Sequence, residues 1–120
     1  MDRLCLPSDA PCCLHDAKWW VAKVEGVTAA YGGAKVLLGE NVAYLCRAGV
    51  LSQFRGQGLQ LALIRRRVRW ARGLGLREVI TDTSLDNVAS SNNLMKAGFR
   101  LYLPEHPWGL PVTNYWHLKL

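Results

Sequence analysis

A chain of 120 residues with a net charge of +6 and a pI near 9.5 has the size of one domain and can bury a single core. Half of its residues are hydrophobic and a fifth are charged, which excludes extended disorder, and no apolar run is long enough to span a bilayer. The positive balance favours an anionic partner: nucleic acid, a membrane surface, an acidic protein or a phosphorylated cofactor.

Residues 1–16, with Pro7, Pro11 and the Cys12-Cys13 pair, read as an irregular lead-in, and residues 17–120 as one domain. The opening Met1-Asp2-Arg3-Leu4 lacks the charged-then-apolar layout of a secretory signal, so a cytoplasmic location is the expectation. Cys5, Cys12, Cys13 and Cys46 form no CxxC pair. Cys12, Cys13 and His15 lack the second spaced pair of a zinc site, so unpaired thiols and no metal are expected. Trp19 to Val24 favour strand, Glu25-Gly26 a turn, and Val27 to Tyr31 a second strand ending at Gly32-Gly33. A third strand, Asn41 to Leu51, carries Val42, Tyr44, Cys46 and Ala48 on one face, and the three strands suggest an antiparallel meander.

Beyond Gly58 a helix runs to about Arg72, with Leu61, Ile64, Val68 and Ala71 as its buried stripe and Arg65, Arg69 and Arg72 on another face. Gly73 and Gly75 end it. Glu78 to Thr81 read as strand, Asn87 to Lys96 as helix, Phe99 to Leu103 as strand, then a loop with Pro104, Pro107 and Pro111 leads to a last strand, Asn114 to Leu120. The fold class is α/β.

The junction Gln53-Phe54-Arg55-Gly56-Gln57-Gly58 sits between a strand and a helix. The first N–H groups of a helix have no internal partner and its dipole makes that end electropositive, while glycine lets a ligand approach the backbone. A diphosphate suits such a site, and Arg55 adds a charged donor at its mouth. A P-loop is excluded because Leu59, Gln60 and Leu61 supply neither lysine nor hydroxyl, and a Rossmann turn because position 61 is not glycine.

Gln53, Gly56 and Gly58 match the order Gln or Arg, two residues, Gly, one residue, Gly or Ala, and the segment resembles the GCN5-related N-acetyltransferases. Asn87, Ser90 and Gly98-Phe99 give a second match in the proper order, and the resemblance runs from about Trp19 to Leu120. It implies a mainly antiparallel mixed sheet, splayed between the family's fourth and fifth strands, with helices packed on it. It implies acetyl-CoA as cosubstrate, with the backbone of Ala48, Gly49 and Val50 on the pantetheine arm. The loop of Arg55, Gly56, Gln57, Gly58, Leu59 and Gln60 would hold the pyrophosphate, and Asn87 would reach the pantetheine, although Asn is also a favoured helix N-cap.

The same resemblance makes the backbone N–H of Val50 the oxyanion donor and puts Tyr44 where some members carry a catalytic carboxylate. Leu94 occupies the position of the tyrosine that often protonates the leaving thiol. Tyr44 could instead be packing with its hydroxyl satisfied, and Glu40, Asp82, His106, Tyr115 and His117 are further candidates with ordinary structural readings. The implied acceptor is an amine on a small molecule, peptide or protein. The lead-in is too short for the family's usual N-terminal strand and helices, which suggests a homodimer covering the acceptor side through Trp19, Trp20, Trp108 and Trp116. A weakly catalytic acyl-CoA binder is the alternative. A nucleic-acid module built on Arg65, Arg66, Arg67, Arg69 and Arg72 is the remoter one, since no base-reading motif accompanies them.

Overall fold

The aromatic and β-branched residues that open the domain form a hairpin of β1 (Lys18–Val24) and β2 (Val27–Leu37). Its two-residue turn has Glu25 and Gly26 at φ 51° and 81°, the left-handed pair that matches the twist of adjoining strands. The computed structural model describes residues 17–37 and 39–120, so the lead-in with Cys5, Cys12, Cys13 and His15 lies outside the described residues. β2 does not stop at Gly32-Gly33, as the sequence suggested, but continues to Leu37 and pairs with β3 (Val42–Val50). The glycines have another purpose. Gly32 pairs with Ala48 and Gly33 with Cys46, so Arg47 is an extra residue on β3, a bulge with φ 24°. The even alternation expected of Val42, Tyr44, Cys46 and Ala48 therefore breaks at Arg47.

A short 3-10 turn (Ser52–Phe54) leads to α1 (Leu59–Gly73), followed by β4 (Glu78–Ser84), α2 (Val88–Lys96), β5 (Arg100–Tyr102) and β6 (Thr113–Lys119). The strands make one sheet in the order β1-β2-β3-β4-β6-β5. All neighbours are antiparallel except β3 and β4. The mixed, mainly antiparallel sheet is thus present.

Helix α1 buries Leu63, Ile64, Arg67, Val68 and Ala71; Leu61 is only partly covered, so the apolar stripe is rotated from the one expected. Ile64, Val68 and Ala71 join Leu45, Val79, Leu94, Phe99 and Trp116 in the core. Burying such side chains is the main favourable contribution to the fold. Arg67 does not belong to an exposed basic stripe. It is 2% exposed, whereas Arg65, Arg66, Arg69 and Arg72 face solvent. Among the described residues no helix is long and apolar enough to cross a membrane.

Candidate active site

Strands β3 and β4 stay paired for only three residues, from Val42↔Glu78 to Tyr44↔Ile80, and then part. Past that point the hydroxyl of Thr81 donates to the Leu45 carbonyl at 2.8 Å, taking the place of a ladder bond. A cleft of about 420 Å³ opens where the strands diverge. It is lined by Tyr44 to Ala48 from β3, Thr81 to Ser84 from β4, Gln60, Ile64 and Arg67 from α1, and Asn87, Ser90 and Leu94 at α2.

The edge of β3 that faces this gap follows from its pairing on the other side. Leu51 N–H donates to Ala29 O at 2.8 Å, so alternation turns Gly49 toward β2 and Ala48 and Val50 away from it. Of the three backbone positions expected on a pantetheine arm, Ala48 and Val50 face the gap and Gly49 faces Tyr31 across the ladder. The Val50 carbonyl accepts from Arg55 Nε at 3.3 Å, which folds the Arg55 stem back along the strand end.

At the far end of the cleft, α1 begins on Gly58. Gly56 and Gly58 have φ of 82° and 76°, so the left-handed backbone itself calls for glycine at both. A Cβ built at either meets no atom within 4 Å, which leaves the approach to the helix end open. No side chain caps this N-terminus and its first turn holds no acid. The leading N–H groups of α1 are thus available to an anion, with the dipole in support. Gln57, Gly58 and Leu59 lie in this turn. Gln60 lies just inside the cleft and is already engaged: its amide donates to Ser90 Oγ at 2.9 Å and accepts from Asn93 Nδ2 at 2.6 Å, tying α1 to α2.

Arg67 reaches through the helix layer to the bulge. Its Nε donates to Leu63 O at 3.1 Å, and Nη1 donates to Gly33 O at 2.8 Å and to Cys46 O at 3.4 Å. Gly32 makes room for it, because a Cβ there would sit 2.8 Å from the guanidinium carbon. Desolvation pushes the guanidinium pKa down to about 10, still far above neutrality, so the side chain remains charged. Two arginines, Arg47 and Arg67, therefore line the cleft on its β3 and α1 side.

The acid of the cleft is on β4, and it gathers aromatics from β3 and from the loop before β6. Asp82 Oδ1 accepts from Tyr44 Oη at 2.6 Å and from Trp108 Nε1 at 3.3 Å. The hydroxyl of Tyr44 is thus satisfied, and the residue lines the cleft. Sequence spacing could not reveal this cluster, since its members lie 38 and 26 residues apart.

Asn87 caps α2, its Oδ1 accepting from Ser90 N–H at 3.1 Å, and it also lines the cleft. Replacing it with alanine is expected to lower stability by about 1 kcal/mol, seen as a lower urea midpoint at unchanged slope. Leu94 is 4% exposed and packs in the core beneath the cleft. Glu40 and His106 are exposed. His117 binds Glu78 through Nδ1 at 2.9 Å and stacks on Tyr102, a structural role away from the cleft. Of the four tryptophans, Trp116 is core, Trp20 packs edge-on to Trp70, and Trp19 covers Gly33 and meets Tyr31. Only Trp108, 42% exposed, stays largely open.

A sheet parted in this way, with a glycine-turned helix end beside it, defines a class of acyl-transfer fold. The model of the Acetyltransferase (GNAT) family matches residues 4–99, and the chain belongs to that family. Aminoglycoside N(6')-acetyltransferase type 1 of Klebsiella aerogenes is 42% identical over 59 residues, covering 49% of this chain and 39% of that protein. N-acetyltransferase 8B of Mus musculus is 33% identical over 91 residues, covering 72% of this chain and 39% of that one. The chain thus spans about two fifths of the length of these relatives. Among solved structures, the IAA acetyltransferase from Bacillus cereus ATCC 14579 superposes with a TM-score of 0.83 at 18% identity, covering 98% of this chain and 89% of that one. A Bacillus subtilis acetyltransferase in complex with CoA gives 0.81 at 14% identity, covering 98% and 88%. These two likenesses establish the fold.

Proposed function

We propose that the chain is an acetyl-CoA-dependent N-acetyltransferase that moves an acetyl group from the thioester to a primary amine by direct attack. One observation carries this reading above the others: the gap between β3 and β4 leads from free strand edges at Ala48 and Val50 to the uncapped N-terminus of α1. A long ligand with an amide-bearing arm and a diphosphate matches both ends. Family membership and the CoA complex of the Bacillus subtilis neighbour support the choice of acetyl-CoA.

Acetyl-CoA, when bound, supplies an acyl carbon activated by its thioester. In this reading the backbone of Ala48 and Val50 holds the pantetheine arm, and the turn from Arg55 to Gln60 holds the pyrophosphate. The Val50 N–H stabilises the carbonyl oxygen as it gains charge. Asn87 lines the pantetheine side through the amide nitrogen that its capping bond leaves available. A C–N bond forms and the C–S bond breaks. The attacking amine loses a proton on becoming an amide, and the departing thiolate takes one up. With Leu94 in place of a hydroxyl donor, water is the source of the thiol proton. In this reading Tyr44, on β3, and Asp82, on β4, joined by their hydrogen bond across the cleft, serve the amine rather than the thiol. Trp116 is buried and Trp19 and Trp20 are partly covered by aromatic neighbours, so Trp108 is the most open of the four candidate anchors for a second copy.

The buried Leu94 favours a second reading, an acyl-CoA binder with little turnover of its own. Incubation with acetyl-CoA and a panel of amines, followed by free-thiol detection and product mass, separates the two. Amine-dependent CoA release with a matching acetylated product is expected. Saturable binding without amine-dependent release would select the second reading.

A further inference from the structure

We infer that the acceptor is a monoamine with an apolar body, its ammonium held by Asp82 and its body lying across Trp108. This deepens the transfer reading and rests on it.

Charge is divided unevenly across the cleft. Asp82 is its one carboxylate among the described lining residues, facing Arg47 and Arg67 on the other wall. Both bonds that Asp82 accepts fall on Oδ1, and no described residue donates to Oδ2. A carboxylate whose first oxygen is fixed by a tyrosine and an indole, and whose second is open, has its orientation set and one acceptor left. An ammonium is the natural complement, and it releases one proton to solvent before the resulting neutral amine attacks the thioester. The charged Arg67 on the α1 wall would repel it from that part of the cleft.

Aromatic surface adjoins this oxygen. Trp108 lies edge-on to Tyr44, with centroids 6.1 Å apart at 87°, and to Tyr115, at 4.6 Å and 73°. A cation is attracted to such ring faces. The loop that carries Trp108 is fixed, since Gly109 N–H donates to Tyr115 Oη at 2.8 Å. A Cβ at Gly109 would come within 2.9 Å of the Thr113 side chain, so the loop closes only with glycine there.

Beyond Trp108 the surface becomes apolar. Asp82 pairs with Tyr115 across β4 and β6, and Tyr115 with Tyr102 across β6 and β5, so the three share one face of the sheet. A hollow of about 540 Å³ begins at Tyr115 and is walled by Leu101, Leu103, Pro107, Leu110 and Pro111. Its lining contains no Asp, Glu, Lys, Arg or His. The hollow is linked to the cleft through Tyr115, which lines it and pairs with Asp82 across β4 and β6. It can shelter an aryl or alkyl group but offers nothing to a second ammonium. Polyamines and amino sugars would therefore gain one ion pair at Asp82 and leave their other charges without a partner.

The test compares kcat/KM for 2-phenylethylamine, ethanolamine, spermidine and kanamycin at saturating acetyl-CoA. The expected result is at least a tenfold preference for 2-phenylethylamine over each of the others. Asp82→Asn is expected to raise its KM about tenfold or more while acetyl-CoA affinity and the unfolding midpoint hold. Trp108→Ala should remove most of the advantage over ethanolamine. Equal or better kcat/KM for spermidine or kanamycin, or an unchanged KM in Asp82→Asn, overturns the inference while leaving the transfer reading intact. Binding of 2-phenylethylamine is also read directly by saturation-transfer NMR, so the inference is decided even without turnover. A wild-type signal lost in Asp82→Asn supports it, and no wild-type signal overturns it.

Discussion

Replacing Arg67 with alanine is expected to lower the unfolding free energy by about 3 kcal/mol, the largest stability loss foreseen for a single polar side chain here. Truncation relieves the desolvation that pushes the guanidinium pKa down to about 10. It also strips donors from Gly33 O and Cys46 O, two carbonyls at the bulge. Each orphaned buried acceptor costs about 1–3 kcal/mol, and truncating a long buried side chain adds a cavity term of similar size. The sum of the losses exceeds the relief. Lysine should rescue little, because one ammonium cannot reproduce the fork that serves Leu63 O and the bulge together. Gly32→Ala tests the same contact from the other side. Its Cβ would press on the guanidinium carbon at 2.8 Å, and an anchored side chain cannot swing away cheaply. Chemical unfolding at pH 7 reads both variants. A loss under about 0.5 kcal/mol for Arg67→Ala would show that the bulge stands without it.

Arg55→Glu is expected to weaken acetyl-CoA binding by about 100-fold while leaving the unliganded fold nearly unchanged. Arg55 is exposed and its one side-chain hydrogen bond among the described residues is to Val50 O, so the fold has little to lose. A unit charge about 6 Å from a phosphate interacts by roughly 0.7 kcal/mol in water. Reversing the sign doubles this, and two phosphate charges double it again, giving close to 2.8 kcal/mol, or two decades of affinity. The effect should shrink at high salt, since the site is solvated. Calorimetric titration at two ionic strengths decides it. Unchanged affinity would place the diphosphate elsewhere on the chain.

The order of elements was legible because apolar spacing switches from period two to period 3.6 between Val50 and Leu59. The glycine turn was legible too, since Gly56 and Gly58 adopt the positive φ that their pattern implies. What escaped was set by partners distant in sequence. Counting by twos along β3 carries Tyr44, Cys46 and Ala48 on one face, but the bulge at Arg47 is defined only by the register of Gly32 and Gly33 on β2. Arg67 looked like one more member of a basic stripe; nothing near it in sequence says that Gly32, 35 residues away, leaves a space of its shape. In the sequence Asp82 was one of several candidates with an ordinary structural reading; Tyr44 and Trp108, brought to it by β3 and by the proline-rich loop, set it apart. Local chemistry was enough to propose an anion site. The proposed acceptor side needed the tertiary fold.

Thermal unfolding of the wild-type chain with and without acetyl-CoA, alongside Arg55→Glu, is the most direct measurement of the central claim. A ligand that binds only the folded state at 100 times its Kd adds about 2.7 kcal/mol. The wild type should therefore show a saturable rise in Tm of several degrees, and Arg55→Glu a much smaller one at the same concentration. An unchanged wild-type Tm at millimolar acetyl-CoA would contradict the assignment of the cleft to this cosubstrate.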